Sequence, residues 1–237
     1  MNPAALAGLR EVAAEHGLPP DATDRLRGLL RVLATDATAP TSVREPASAV
    51  DVHVRDSLDG LRLSEVRAAR RIADLGAGAG FPGLVLAVAL PQAAVRLVES
   101  VGRKCQFLGR AATEMALDNV EVVHARAEDW PAGIGAHDVV TARALAPLTA
   151  LAEYAAPLLA PDGHLVAWKG AVGAEEEADG RAAAAILGLG EPRRVQVPPR
   201  PGADLRSLWL LHKEAETPAT YPRRPGMARK RPIRAGA

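Results

Sequence analysis

The 237-residue sequence is poor in several features, and each shortage excludes a class of protein. Its single cysteine, Cys105, excludes an internal disulfide and a zinc site built from several thiolates. Aromatic residues make up only 3% of the chain, which argues against a surface of several stacked aromatic rings. No uninterrupted run of about 18 apolar residues occurs, and charges interrupt the apolar pattern at the N-terminus. We therefore expect no membrane span, no signal peptide and a cytoplasmic protein.

Charge is distributed unevenly, although the formal net charge is only +1. Residues 217–237 contain six basic side chains and no acidic one, whereas residues 1–216 contain 23 basic and 28 acidic side chains. A cationic, proline-rich tail either attracts phosphate backbones or stays solvated and disordered. We expect residues 214–237 to form a flexible basic tail.

Hydrophobic periodicity divides the rest of the chain into two parts. Apolar residues at helical spacing predict an N-terminal helical extension over residues 1–69. Over residues 70–213, short β-branched runs alternate with alanine-rich helices, which predicts a mostly parallel sheet with helices on both faces. The last two predicted strands, 193–198 and 204–213, have no helix between them and indicate a closing antiparallel hairpin. The predicted fold class is therefore α/β, with a Rossmann-like seven-stranded sheet.

The stretch RIADLGAGAGFPG, residues 71–83, takes the first predicted strand into a glycine-rich turn. A literal G-x-G-x-x-G begins at Gly78, but it starts three residues beyond the strand and contains Pro82, unlike the dinucleotide fingerprint. Gly-Lys-Ser/Thr is missing, which excludes a P-loop. An acidic Asp74 followed by Gly76 and Gly78 is instead the pattern of class I methyltransferases, which bind S-adenosylmethionine.

Acidic residues also follow the next two predicted strands. Glu99 ends the second strand, where a carboxylate can accept both ribose hydroxyls, a feature shared with NAD enzymes. Ala127 and Glu128 follow the third strand, where class I methyltransferases hold the amino edge of adenine. Each carboxylate alone could instead cap a turn or a short helix. Three acidic positions at one edge of the sheet favour a binding site, and their combination favours S-adenosylmethionine over NAD.

The fourth predicted strand ends in Ala-Arg-Ala-Leu, residues 142–145, where enzymes that methylate exocyclic amines carry Asn/Asp-Pro-Pro-aromatic. Methylation at carbon needs a cysteine nucleophile. Cys105 lies within a predicted helix, and neither a proline nor a threonine precedes it, as one does in Pro-Cys or Thr-Cys motifs. The remaining acceptors have a free lone pair, as guanine N7 has, and need positioning more than a general base. Arg143 would then position guanine O6, a phosphate or the cofactor, and it is our candidate catalytic residue.

Six segments occur in a characteristic order. They are TSVREPASAVDVHVRDSL (41–58), IADLGAGAGFPGLVLA (72–87), LVESVGRKCQFL (97–108), NVEVVHARAEDW (119–130), VVTARAL (139–145) and AWKG (167–170). Together they resemble the bacterial small-subunit ribosomal RNA guanine-N7 methyltransferase G family over about residues 21–213. The resemblance implies transfer of a methyl group from S-adenosylmethionine to N7 of a guanosine in the 530 loop of 16S ribosomal RNA, free or within the 30S subunit or its precursor.

The resemblance also implies roles for single residues. Cofactor contacts are implied at Gly76, Phe81, Ala127, Glu128 and Arg143, with Glu99 at the family's acidic position. RNA contacts are expected at basic residues near the site and in the tail: Arg44, Arg103, Lys104, Arg126, Lys169, Arg223, Arg224 and Lys230. For His53 and Asp56, catalysis and a hydrogen-bonded helix that packs on the cofactor mouth both stay open. Nothing in the sequence demands a metal or more than a monomer.

Other functions stay open on the sequence alone. The main alternative is a class I methyltransferase that acts on a small molecule or a protein, against which the basic residues around the site argue. A non-catalytic cofactor sensor is a second alternative, and the intact acidic series argues against it. A nicotinamide oxidoreductase is the least favoured alternative, because the glycine motif starts too far beyond the first strand for a dinucleotide fingerprint.

The glycine turn generates the first prediction. We expect Gly76→Arg to abolish cofactor binding, because the arginine side chain fills space that the bare backbone leaves for the ligand. Calorimetric titration with S-adenosylmethionine measures this, and retained affinity would refute the placement of the whole site.

Overall fold

Seven strands form one sheet in the computed structural model, which describes residues 2–199 and 205–236. The strands are β1 Arg71–Leu75, β2 Ala94–Glu99, β3 Val120–His124, β4 His137–Arg143, β5 Leu159–Lys169, β6 Arg193–Gln196 and β7 Ser207–His212. Their order is β3-β2-β1-β4-β5-β7-β6. The pairs from β3 to β5 are parallel, and β7 is antiparallel to both of its neighbours.

The predicted fold class is confirmed, including the closing hairpin. The predicted strand 204–213 starts at Asp204, which lies outside the described residues. Strand order reverses between β1 and β4, so the carboxyl ends of these two strands form the switch point at which α/β sheets bind ligands.

Helices cover both faces of the sheet. They are α1 Pro3–Glu15, α2 Ala22–Thr35, α3 Pro46–Ala49, α4 Asp56–Leu58, α5 Ser64–Ala68, α6 Gly83–Ala89, α7 Gly102–Glu114, α8 Leu148–Ala155, α9 Ala174–Leu187 and α10 Met227–Lys230. A π-helical turn, Val50–Arg55, joins α3 to α4, so the chain runs helically from Pro46 to Leu58. None of the helices in residues 2–199 and 205–236 combines the length and apolar character that a membrane span needs.

The N-terminal helices share a hydrophobic core with the sheet domain. Leu9 of α1 and Leu29 of α2 are fully buried in the same cluster as Leu84 of α6 and Phe107 of α7. Because burial of apolar surface is the main stabilising force, this shared core fixes the helical extension to one face of the sheet. It also brings the π-helical turn and α4 close to the carboxyl end of β4.

The C-terminal segment, residues 217–236, packs against α8 and α9 instead of extending as the flexible tail that the sequence predicted. Arg223 Nε donates to Glu153 Oε1 over 2.8 Å, and Glu153 on α8 is 1% exposed. Arg234 Nη1 lies 2.7 Å from the Asp179 carboxylate of α9, and Ala228 of α10 is buried. The physical reason is charge pairing across the fold, since basic residues of the segment meet acidic residues that two distant helices supply.

Candidate functional site

A buried carboxylate organises the glycine-rich turn. Asp74, at the end of β1, is fully buried and accepts hydrogen bonds from the Gly83 backbone N at 2.9 Å and from Thr141 Oγ1 at 2.9 Å. Burial raises the pKa of Asp74 to about 6, against the lowering effect of these two hydrogen bonds. Asp74 therefore ties the start of α6 and strand β4 to β1, which is the turn-capping role that the sequence left open.

The turn has a conformation that glycine permits and most residues resist. Gly76 has a φ of +64°, and a Cβ there would lie 2.6 Å from Leu145 Cδ1. Its backbone N donates to Val98 O over 2.8 Å, which holds the turn against the end of β2. At Gly78, in contrast, the nearest atom to an added Cβ is Gly76 O at 3.6 Å, which is an ordinary contact. Gly76 and Gly78 are both half-buried, so part of the backbone of this turn is accessible at the switch point.

Glu99 sits at the opposite side of the turn and is only 4% exposed. Its carboxylate accepts from Gly78 N at 3.1 Å and from Val101 N at 2.9 Å. Lys104 Nζ is 3.9 Å from Glu99 Oε2. Glu99 therefore links β2, the glycine turn and the start of α7, and its position at the end of β2 is the one expected of a ribose contact.

A cavity of about 140 Å³ lies between the carboxyl ends of β1, β2 and β3. The residues that line it include Leu75, Gly76, Val98, Ser100, Ala125, Arg126, Ala127, Glu128, Leu145, Tyr154, Gly226 and Arg229. Glu128 Oε1 accepts a hydrogen bond from Gly226 N at 2.9 Å. The structure therefore brings Gly76, Ala127 and Glu128 to one cavity, as the sequence predicted, and adds two residues of the C-terminal segment.

Near Phe81, at the C-terminal end of the glycine turn, two aromatic rings and a guanidinium pack together. The rings of Phe81 and His53 stack with centroids 4.3 Å apart, and Arg143 Cζ lies 5.2 Å from the Phe81 ring centroid. Arg143 Nη2 is 3.1 Å from His53 Nδ1. Because an arginine only donates, His53 Nδ1 is the acceptor, and His53 Nε2 carries the proton that faces Thr41 Oγ1 at 3.0 Å. Burial, with a further contribution from the charge of Arg143, lowers the pKa of His53 to about 4, so this ring is neutral at pH 7.

Asp56 holds two arginines at this end of the site. Its Oδ2 is 2.6 Å from Arg143 Nη1, and its Oδ1 is 3.1 Å from Arg206 Nη1. The carboxylate is 1% exposed, and its backbone O accepts from Trp168 Nε1 at 2.7 Å. A buried carboxylate between two guanidiniums keeps both in place and leaves the trio with a net positive charge. This arrangement supports the structural role, a hydrogen-bonded helix at the cofactor mouth, that the sequence left open for His53 and Asp56 beside catalysis.

Comparison with known proteins adds the decisive observation. The family model described as "rRNA small subunit methyltransferase G", GidB, matches residues 28–197. A curated relative with the name "Ribosomal RNA small subunit methyltransferase G", from Rubrobacter xylanophilus, is 44% identical over 199 residues, which are 81% of this chain and 76% of the relative. This chain belongs to the GidB family.

Solved structures agree with the fold of this GidB-family chain. A predicted O-methyltransferase from Agrobacterium tumefaciens matches with a TM-score of 0.56 and 25% identity, over 68% of this chain and 81% of the other. A mutant of MtNAS in complex with S-adenosylmethionine matches with a TM-score of 0.54 and 16% identity, over 81% of this chain and 72% of the other. The second similarity concerns the fold alone.

S-adenosylmethionine is the cofactor of this GidB-family protein, and the site has features that fit it. Gly76 lines the cavity together with Glu128, which follows β3, and the buried carboxylate of Glu99 ends β2 beside Gly78. No group of three or more His, Cys, Asp or Glu that could hold a metal ion occurs within the described ranges. The methyltransferase family to which the chain belongs confirms the predicted cofactor, while its contact residues stay predictions.

The predicted RNA-contacting residues of this GidB-family chain fall into two groups. Arg103, Arg126, Arg224 and Lys230 are exposed, and Lys104 is half-buried beside Glu99. The other three have internal partners. They are Arg44, which donates to Asp36 O, Lys169, whose Nζ is 2.6 Å from Glu176 Oε1, and Arg223, which is paired with Glu153. The exposed residues are the better candidates for a phosphate backbone, since the internal carboxylates already neutralise Lys169 and Arg223.

Two functional candidates escaped the sequence analysis. Arg206 was part of a predicted strand without a role, yet its guanidinium joins Asp56 and Arg143. One signal was available in the sequence. Arg206 directly precedes an antiparallel strand whose first residue, Ser207, pairs with Lys169, and this places Arg206 at the carboxyl edge of the parallel strands. Thr141, within a quoted segment, had no assigned role and proves to be a partner of Asp74.

The raised pKa of Asp74 generates a prediction about stability and pH. The folded protein holds a proton on Asp74 up to about pH 6, whereas the ordinary value is 3.8. The stabilisation by the protonated form is complete below pH 3.8 and is lost as the pH rises through 6. Asp74→Asn mimics the protonated form, since its O accepts from Gly83 N and its amide donates to Thr141. We expect the free energy of unfolding of the wild type, relative to Asp74→Asn, to fall by about 2 kcal/mol between pH 4 and pH 7.

Urea unfolding of both proteins at each pH measures this difference. Because the histidines titrate equally in both proteins, the comparison isolates Asp74. A difference that does not vary with pH would contradict the assignment.

Proposed function

We propose that this GidB-family protein transfers a methyl group from S-adenosylmethionine to N7 of a guanosine in the 530 loop of 16S ribosomal RNA. The family supports methylation of small-subunit ribosomal RNA. The observation that carries the finer assignment is the state of the groups around Arg143. Within the described residues, His53 Nδ1 accepts from Arg143, and both oxygens of Asp56 face guanidiniums, so neither side chain offers a free base.

An acceptor without a proton fits such a site. The lone pair of guanine N7 lies in the ring plane and needs no deprotonation, so orientation of the base replaces general base catalysis. The methylated product carries a positive charge on the base. When bound, S-adenosylmethionine supplies an activated methyl group on a positively charged sulfur.

The residues of this chain have separate tasks in the proposal. Gly76, Gly78 and Glu99 hold the cofactor at the turn, and Ala127 with Glu128 holds its adenine. Phe81 and Arg143 close the end of the turn at which the acceptor base enters.

Arg143 and Arg206 orient the base or its phosphates, and Asp56 fixes both guanidiniums. Arg143 meets Phe81 face-on and Asp56 by a hydrogen bond, so its planar fork is held in one direction. In this proposal the reaction depends on orientation of the acceptor base, and no proton has to be removed from that base.

Modification mapping in cells tests the proposal. Ribosomal RNA from a deletion strain and from a complemented strain is reduced with borohydride, cleaved with aniline and read by primer extension. We expect a stop at one guanosine of the 530 loop only when the intact gene is present. Complementation with Gly76→Arg should remove the stop.

A control at a second glycine shows whether an added arginine is tolerated where the structure leaves room for it. Gly109 lies on α7, and among the described residues no atom beyond its own helix and chain neighbours comes within 4 Å of the place that a Cβ would take. Gly109→Arg should therefore leave the stop in place. A 530-loop guanosine that stays identical in all strains would contradict the proposal and favour the small-molecule or protein alternative.

Exposed cations near the site generate a prediction about RNA affinity. We expect Arg103→Ala and Arg126→Ala each to weaken binding of 16S ribosomal RNA, and to reduce the slope of log affinity against log salt by roughly 1. Arg181→Ala is the control, because Arg181 on α9 is paired with Glu191 and Glu177 and lies away from the switch point. Filter binding over a salt series measures the slopes, and equal slopes for all variants would remove Arg103 and Arg126 from the interface.

A further inference from the structure

The C-terminal segment lies outside the part of the chain that the family model matches, which ends at residue 197. It is nevertheless fixed to the body of the protein at several points. Besides the pair between Arg223 and Glu153, Thr149 Oγ1 donates to Ile233 O over 2.9 Å, and Ala235 N donates to Asp179 Oδ1 over 2.9 Å. These contacts fix both ends of the segment and leave its middle, residues 224–231, at a defined place.

That middle part borders the cavity at the ends of β1, β2 and β3. Gly226 and Arg229 line the cavity together with Ala127, Glu128 and Tyr154. Arg229 Nη2 donates to Leu145 O, so its side chain bridges from α10 to the loop after β4. The cavity therefore has one wall that the methyltransferase sheet does not provide.

The contact with Glu128 gives this wall a chemical consequence. Gly226 N donates to Glu128 Oε1 over 2.9 Å, which leaves Oε2 as a fixed acceptor beside the cavity. Glu128 belongs to the short 3-10 turn Ala127–Asp129 and is only partly buried, so its side chain would otherwise sample several rotamers. A pre-oriented acceptor loses less conformational entropy when a ligand donates to it.

We propose that the C-terminal segment forms the outer wall of the adenine pocket, with Gly226 orienting Glu128 and Arg229 closing the side towards Leu145. The inference rests on the proposed placement of adenine at Ala127 and Glu128. Gly226 and Arg229 are positioning residues, because they act through Glu128 and through the shape of the pocket.

Calorimetry on the full chain tests the wall with two ligands that share the adenosine half, S-adenosylhomocysteine and 5′-methylthioadenosine. We expect Arg229→Ala to weaken the binding of both ligands by a similar factor, about three- to tenfold. The variant loses the hydrogen bond to Leu145 O, and the pocket loses the side chain that closes it to solvent. Arg229→Lys should recover part of the loss, since an ammonium can still donate to Leu145 O. Arg231→Ala is the matched control, because Arg231 is exposed in the same segment and does not line the cavity.

A second readout separates the wall from a general structural role. In methylation assays Arg229→Ala should raise the KM for S-adenosylmethionine and leave kcat unchanged, and the melting temperature of the ligand-free variant should match that of Arg231→Ala. A lower melting temperature with unchanged ligand affinity would overturn the proposal.

Glu128→Ala distinguishes failure of the wall from failure of the underlying site. If Glu128→Ala weakens both ligands while Arg229→Ala and deletion of residues 217–237 do not, the wall is refuted and the site stands. If Glu128→Ala also has no effect, the adenine does not lie at Glu128 and the site itself is refuted. Should the deletion variant fail to fold, the affinities of Arg229→Ala and Arg229→Lys decide the question.

Discussion

The buried carboxylate of Asp74 is the constraint on which the site depends. It joins the end of β1 to the first backbone N of α6 and to Thr141 of β4, across the point where strand order reverses. Backbone hydrogen bonds from Gly76 N and Ala77 N to Val98 O hold the start of the turn against β2, and Asp74 holds its end at Gly83. Glu99 repeats the device from β2, where it accepts from Gly78 and Val101. Asp74 and Glu99, which the sequence suggests as cofactor contacts, therefore also fix the backbone of the turn at the proposed cofactor site.

A second buried carboxylate, Asp56, fixes two guanidinium groups as Asp74 fixes the glycine turn. It lies on the N-terminal helices, which share one hydrophobic core with the sheet, and it fixes Arg143 from β4 and Arg206 from the start of β7. Three distant stretches of chain therefore meet at one guanidinium cluster. The neutral His53 and the ring of Phe81 complete it. The proposed lone-pair chemistry follows from this arrangement, since His53 and Asp56 are both already engaged.

The strands of the sheet, the closing hairpin and the glycine turn were predictable because local sequence patterns indicate them. Short β-branched runs indicated the strands, and the spacing of Asp74 and Gly76 indicated the cofactor. The acceptors of Arg206 and Arg223 were not predictable, because they lie 150 and 70 residues away in sequence. For the same reason a basic, proline-rich tail looked flexible, although Glu153 and Asp179 hold it. Helix α9 was missed because its alanine-rich stretch begins with three acids and lacks a clear apolar stripe.

The identity of the methylated atom tests the account most directly. Purified protein is incubated with methyl-labelled S-adenosylmethionine and with 30S particles or 16S ribosomal RNA from the deletion strain. The RNA is then digested to nucleosides and analysed by mass spectrometry. The account predicts one labelled nucleoside, N7-methylguanosine, located in the 530 loop. Label on an exocyclic amine, on a carbon atom or on protein would contradict it, because a site in which His53 and Asp56 are engaged could not activate those acceptors.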